Sequence, residues 1–387
     1  MSVADLKIPE AGRATPLRDV CDITKGNTPT MKAVPGEYPL VVTGATLRSS
    51  SEYQFDCEAV CIPLVSSTVH GHASIHRIHY QTGKFALANI MVALTPKSNA
   101  ECNAKYLQLL LTARKDDLLV PLMAGTSNVS LRIPDLSAVE ICLPPIAVQL
   151  AMVRSIESSF QQLELARTQR DFVLQCYDRL ITALAHRDDL SDGQKQDQGW
   201  RKVKLGEVMY LDLDPVKVDP TAEYPNMGIL NFAKGLFRKL PISGLETSAT
   251  VLYRVKAGQF IFSRLFAFEG SYAYVSKDYD GVYVSGEYPT FTCDSTQCRA
   301  EFVYAHFRPS RVWKTLSEKS KGLGLRRQRV QPPAILAHEV WLPPLTEQIK
   351  IAEVLLARGR FEVLDTFEKD SESLRRSILS KAFRGEL

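Results

Sequence analysis

The sequence predicts an α+β protein in which two similar domains are separated by two long helices packed as an antiparallel coiled coil. Three observations predict it. A proline-led motif occurs twice, 199 residues apart, as Glu140-Ile141-Cys142-Leu143-Pro144-Pro145-Ile146-Ala147-Val148-Gln149 and as Glu339-Val340-Trp341-Leu342-Pro343-Pro344-Leu345-Thr346-Glu347-Gln348. A long segment with helical apolar periodicity follows each copy. Short strand-like runs, broken by Gly, Pro, Asn and Ser, precede each copy. A repeat this long governs the architecture of the whole chain.

Taken in order, residues 1–14 read as a flexible tail, mixed polar and without the apolar stretch of an export signal. Residues 15–143 form the first domain. Its strand candidates are Tyr38-Pro39-Leu40-Val41-Val42, Val60-Cys61-Ile62 and Ile90-Met91-Val92-Ala93-Leu94, and one amphipathic helix is expected from Ala104 to about Thr112. At 144–186 the period changes. Val153, Ile156, Phe160, Leu163, Arg167, Arg170, Leu174, Tyr177, Ile181 and Leu184 follow a 3-4 spacing, and eight of these ten are apolar, which makes a coiled-coil seam. Pro144-Pro145 stands at the start of this helix, where proline is tolerated. From Ile146 to Leu184 the helix would run ~58 Å at ~1.5 Å per residue. Arg167 and Arg170 interrupt the seam as a register device, a docking point for a partner chain, or a local turn toward solvent. Residues 187–199 are polar and contain glycine, hence a linker. Residues 200–341 form the second domain, with strands at Phe260-Ile261-Phe262, Tyr272-Ala273-Tyr274-Val275 and Val282-Tyr283-Val284. Residues 342–387 carry the second helix, from about Leu345 to Phe383, with a weaker seam interrupted by Gly359 at ~1 kcal/mol relative to alanine.

The repeat extends upstream of the motif. Val60-Cys61-Ile62 matches Gln259-Phe260-Ile261 at the offset of 199, Ala104-Lys105-Tyr106-Leu107 resembles Ala300-Glu301-Phe302-Val303, and Leu17-Arg18-Asp19-Val20 resembles Leu205-Gly206-Glu207-Val208. Outside these anchors the copies differ almost completely. A shared frame with divergent contents suggests one fold presenting two different surfaces.

Composition narrows the class. The 387 residues are 45% hydrophobic and 23% charged, ordinary for a soluble globular chain of more than one domain. The net charge of +4 is only a mild pointer to an anionic partner. No stretch approaches the ~18 apolar residues of a membrane span. Eight cysteines without framework spacing read as reduced thiols in a cytoplasm. No Asn-Pro-Pro-Tyr or Asp-Pro-Pro-Tyr methylation motif, phosphate loop or nucleophile elbow is present, which agrees with a non-enzyme.

The strongest electrostatic footprint is the run Arg308, Arg311, Lys314, Lys319, Lys321, Arg326, Arg327 and Arg329 against a single Glu318, with Gly322 and Gly324 allowing the backbone close to phosphate. The matching loop of the first domain offers Thr126, Ser127 and Asn128. The loops after Ile62 and Ile261 add Ser66, Ser67, Thr68, His70 and His72, then Ser263, Arg264 and Glu269; Arg can pair with guanine and Glu can accept from cytosine. Cys57, Cys61, His72 and His76 have spacing close to a two-Cys, two-His zinc site. Against that, Cys61 is matched by Phe260, which needs no metal.

Leu342-Pro343-Pro344-Leu345-Thr346-Glu347-Gln348 with its helix, Gly322-Leu323-Gly324-Leu325-Arg326-Arg327-Gln328-Arg329-Val330 upstream, and Ser377 to Leu387 at the end resemble the DNA-specificity (S) subunits of type I restriction-modification systems. The resemblance runs from Leu17 to Leu387, and the doubled Leu-Pro-Pro-x-x-x-Gln element is its specific part. The first copy departs from the pattern, with Val148 where an acidic residue commonly precedes the Gln. The resemblance implies two target recognition domains, each reading half of a split site in double-stranded DNA. It implies helices that dock two modification (methyltransferase) subunits, with Gln149, Arg167, Arg170 and Gln348 as docking residues. Restriction (translocase and endonuclease) subunits would join them. It implies no catalysis in this chain and no cofactor of its own, with S-adenosylmethionine, ATP and Mg on the partner subunits. Because the two domains differ, the expected site is bipartite and asymmetric, with a gap on the order of one helical turn, ~10 bp. The rival readings are a coiled-coil adaptor with two protein-binding β-rich domains, and a nuclease or methyltransferase with a degenerate motif.

Overall fold

The computed structural model describes residues 13–67, 72–125, 129–317, 329–357 and 362–384. The chain forms two units, Met1–Thr168 with Thr366–Leu387, and Gln169–Asp365. In chain order the strands of the first unit are β1 (Arg13–Pro16), β2 (Cys21–Lys25), β3 (Tyr38–Val41), β4 (Arg48–Ser50), β5 (Phe55–Asp56), β6 (Ala59–Pro63), β7 (His79–Gln81), β8 (Lys84–Leu87), β9 (Met91–Pro96) and β10 (Glu140–Leu143). Its helices are α1 (Leu17–Val20), α2 (Ala104–Leu118) and α3 (Ile133–Ser137), and α4 (Ile146–His186) then runs on into the second unit. The second unit continues with α5 (Asp192–Asp197), β11 (Arg201–Lys204), β12 (Met209–Leu211), β13 (Pro215–Lys217), β14 (Glu223–Leu230), β15 (Gly235–Ser243), β16 (Val251–Arg254), β17 (Phe260–Phe262), β18 (Tyr272–Tyr274), β19 (Tyr283–Val284) and β20 (Thr290–Cys293). It ends with α6 (Ala300–His306), α7 (Ser310–Ser317), α8 (Pro332–Leu336), β21 (Glu339–Leu342) and α9 (Leu345–Ala357); α10 (Glu362–Ala382) returns to the first unit.

The two units share a frame. In the first, a four-stranded sheet has the order β2-β9-β6-β7; in the second, β12-β20-β17-β18. The central strands β6 and β17 are buried at every position, because each sheet is covered on both faces, and such strands read as unbroken apolar runs. In the first unit Val60 and Ile62 pack toward α2 while Ala59 and Cys61 pack toward a second sheet. In the second, Phe260 and Phe262 pack toward α6 and Ile261 packs the other way. Val60 therefore corresponds to Phe260, and Cys61 to Ile261. The 199-residue alignment is one residue out in this strand; with a side-chain period of two, a slip of one residue exchanges the faces.

Each unit closes on itself by pairing its first and last strands. β1 runs antiparallel to β10 and β11 to β21. The next backbone bond repeats as well, Leu17 N–H to the Val139 carbonyl and Leu205 N–H to that of His338. Arg13 and Ala14 thus lie in a strand rather than in the expected tail. The expected linker also holds structure: Ser191 and Gln194 form a reciprocal capping box that starts α5.

The expected first helix is continuous over 41 residues, α4, ~60 Å at ~1.5 Å per residue. The second is described as α9 and α10; Gly359 lies outside the described residues. The seam of α4 is the less exposed side of the helix, as its spacing predicts. In the first unit Met152, Val153, Ile156 and Phe160 meet Ile378, Leu379, Ala382 and Phe383 of α10 in one core. Glu164 pairs with Arg375 and Arg167 with Glu368, so rising numbers on α4 meet falling numbers on α10 and the pair is antiparallel. In the second unit Tyr177, Ile181 and Leu184 pack with Ile351, Val354 and Leu355 of α9, and the Tyr177 hydroxyl donates to the Leu355 carbonyl at 2.8 Å.

Candidate nucleic-acid interface

The doubled motif has a structural meaning that its sequence does not disclose. Gln149 is 0% exposed. Its Oε1 accepts the Asn103 N–H at 2.9 Å, and its Nε2 donates to the Glu101 and Pro144 carbonyls, each at 2.7 Å. Gln348, also 0% exposed, repeats this with the Arg299 N–H at 2.9 Å and the Gln297 and Pro343 carbonyls at 2.9 and 2.8 Å. Each Gln ties the first turn of its long helix to the loop before α2 or α6. The expectation that Gln149 and Gln348 dock a partner is therefore corrected: both are buried, with donors and acceptor engaged inside the chain. The departure at Val148 also has a cause. Glu347 accepts the buried Trp200 indole N–H at 3.0 Å, whereas Val148 packs on the apolar core of the first unit. Arg167 pairs with Glu368 of α10 at 3.0 Å, both side chains half-exposed, and Arg170 lies beside Asp171 at 3.5 Å.

Most described members of the basic run are already neutralised. Arg308, its side chain 10% exposed, pairs with Asp178 of α4 and donates to the Ala233 carbonyl and the Tyr304 hydroxyl. Arg311 pairs with Asp188 at 2.6 Å, and Arg329 with Glu287 at 3.0 Å. Arg308 is held against α4 through Asp178, and Arg311 is paired with Asp188 just beyond the end of α4, so the expected phosphate role of both is weakened. For Arg329, paired but half-exposed, it is weakened too. Lys319, Lys321, Arg326 and Arg327 lie outside the described residues, as do Thr68, His70, Thr126, Ser127 and Asn128.

The loops after β6 and β17 are built by the side chains expected to read DNA. The Ser66 hydroxyl donates to the His72 carbonyl at 2.5 Å and accepts the Ser74 N–H; the Ser67 hydroxyl accepts the His76 N–H at 3.0 Å. These two serines close their loop, while His72 stands exposed on it. Ser263 is buried and accepts the Phe266 N–H. Arg264 donates to Gln331 at 2.8 Å. Glu269 accepts from the Asn231 amide, and its carbonyl takes the Phe232 N–H at 2.7 Å. These bonds hold Phe232 and Ala233 in left-handed conformation, φ 60° and 51°, which costs on the order of 1 kcal/mol for each non-glycine residue. The zinc reading loses a ligand, since Cys61 is sealed between two sheets and burial, with Cys57 beside it, pushes its thiol up to about 12. Among the described residues no three metal-ligating side chains come together.

The units differ in their second sheets. The first unit carries β4-β3-β8-β5; the second carries five strands, β13-β16-β19-β14-β15. Its outer ribbon was not singled out by the sequence patterns. β15 is an edge strand in which Tyr224 pairs with Ile242 and Asn226 with Lys239, so that Leu240 and Pro241 face Pro225 alone. This bulge turns Leu240 outward, 87% exposed. Lys239 lies over the rings of Phe237 and Tyr288, 5.6 and 5.9 Å from their centroids. The signal that could have found it is the run Phe237-Arg238-Lys239-Leu240-Pro241, which has no counterpart in the first copy.

Three histidines converge under the second unit. His306 Nε2 lies 3.0 Å from His338 Nε2, and His186 Nε2 lies 3.1 Å from the His306 carbonyl. Burial, with Arg311 nearby, lowers His186 to about 4, and His306 falls well below its ordinary value through burial, His186 and His338. Asp188 favours the charged form of His186 and Lys195 opposes it. Both histidines are neutral when folded, whereas the unfolded chain takes up protons as pH drops below ~6.5. Stability is therefore full above ~6.5 and falls as pH drops toward 4, by on the order of 3 kcal/mol for His186. Urea melts at pH 7 and pH 4.5 should show this loss, and a His186→Asn variant should show a smaller one.

Residues 14–173 match the family described as the Type I restriction modification DNA specificity domain. Three solved structures share the fold of the chain. The S subunit of the type I restriction-modification system of M. genitalium matches at 13% identity and TM-score 0.51, over 97% of this chain and 98% of that one. The HsdS subunit of Thermoanaerobacter tengcongensis matches at 17% identity and TM-score 0.51, over 100% of both chains. A chain from a study of complex assembly and conformational transition of the type I R-M system matches at 16% identity and TM-score 0.58, over 98% and 100%. No curated protein matches. Residues 14–173 are thus similar to a DNA specificity domain. The chain over its length shares the fold of solved S subunits of type I restriction-modification systems.

Proposed function

We propose that this chain is the non-catalytic specificity subunit of a type I restriction-modification complex and reads a bipartite, asymmetric site in double-stranded DNA. The observation that carries this reading is the frame built twice, down to the same three hydrogen bonds at Gln149 and Gln348, around second sheets that differ. Duplex DNA has two-fold backbone symmetry, so one frame can meet both halves of a site in equivalent orientation. Different second sheets then demand different half-sites.

On this reading two modification subunits dock on the long helices, and restriction subunits join the assembly. S-adenosylmethionine, ATP and Mg belong to those partners. In the second unit α4 leaves Phe172, Val173 and Leu180 on its outer side, with Phe172 63% exposed. Phe172, the exposed Cys176 and Leu180 follow each other at four-residue intervals, which lays one apolar stripe along the helix. An apolar stripe on an exposed helix suits a partner helix.

The test is nuclease footprinting of the chain assembled with its modification subunits. Two protected patches flanking an accessible gap are expected. One uninterrupted protected tract would contradict the reading.

A further inference from the structure

A frame common to both units cannot by itself distinguish two different half-sites, so the discrimination must lie where the units diverge. In the second unit the divergent, outward part is the β14–β15 ribbon. We infer that this ribbon is the base-reading element of the second unit, with Lys239 as hydrogen-bond donor and Leu240 as apolar contact in the major groove. The inference rests on the DNA-specificity reading above.

Four features of the ribbon support it. β15, backed by β14, is the exposed edge of its five-stranded sheet, and a sheet edge can present side chains to a major groove ~12 Å wide. The bulge at Leu240 and Pro241 removes a ladder donor and twists the edge, which blocks strand addition by another chain and leaves side-chain presentation as the use of this edge. Lys239 is pre-oriented over Phe237 and Tyr288, so it loses less rotamer freedom on binding than a free surface lysine. Gly228 makes this possible: a Cβ there would stand 2.6 Å from the Phe237 ring and 2.7 Å from the Lys239 stem. An ammonium can donate to guanine O6 or N7, and a leucine methyl can meet the thymine methyl. Arg238 has a different part. Its guanidinium donates to the Asp278 carbonyl and lies over the Tyr279 ring, which anchors the ribbon to its sheet.

The experiment is selection from a randomised duplex library by the full chain assembled with its modification subunits, comparing wild type with Lys239→Gln, Leu240→Ala and Gly228→Ala. Wild type is expected to select two separated words. Each variant should lose preference by about ten- to a hundredfold at one or two positions of one word and keep the other word intact. Gly228→Ala should do so although it removes no group able to touch DNA, because it moves the platform under Lys239. Uniform weakening across all sequences would mean a phosphate contact and would overturn the inference. So would unchanged preference, with or without loss of assembly; a loss of assembly would mark the ribbon as a protein contact. A wild-type complex that selects no split site would instead sink the DNA-specificity reading itself.

Discussion

Replacing Gln149 by alanine is expected to destabilise the first unit by about 3 kcal/mol, because three backbone groups, one of them fully buried, lose their partner together. The side chain accepts the Asn103 N–H and donates to the Glu101 and Pro144 carbonyls, in a site with no exposure at the Gln itself. Glutamate is no remedy, since a carboxylate has no N–H for the two carbonyls and carries a charge into a buried site. Gln348→Ala should act the same way on the second unit. For units of this size the loss corresponds to roughly 6–12 °C in Tm. Calorimetry would resolve it, and a shift of less than a degree would show the clamp to be dispensable.

Phe172→Asp combined with Leu180→Asp is expected to abolish assembly with modification subunits, by about a hundredfold or more in affinity if either residue is a hot spot. The chain itself should stay folded, because Phe172 is 63% exposed on the side away from Ile181 and Leu180 is half-exposed on the flank of the seam. Co-purification and sedimentation of the mixed subunits would report assembly, and circular dichroism the fold. Full assembly by the double variant would remove this face of α4 from the docking surface.

The seam of α4 and its limits were legible in the sequence because helical period is local, and Ile181 and Val153 declare it by spacing alone. The central strands were legible as apolar runs, yet their register was not. Val60 and Cys61 are both apolar, and only the covering layers decide which faces α2. The role of Gln149 was hidden for a different reason. A buried glutamine and a surface glutamine look alike in sequence, and its three partners come from residues 101–103 and from Pro144. Charge runs misled in the same way: Arg308 and Arg311 read as a free basic face until Asp178 and Asp188 are seen beside them. The ribbon at Phe237 to Pro241 carries no repeat signal, because it occurs in one copy only.

Each unit's first and last strands are neighbours, Arg13–Pro16 against Glu140–Leu143 and Arg201–Lys204 against Glu339–Leu342. A segment whose two ends sit side by side behaves as a cassette. Whatever is inserted between them can lengthen, shorten or be exchanged while the doorway to the helix keeps its shape. On the proposed function, trading the cassette whole would exchange the target word and leave the long helices undisturbed.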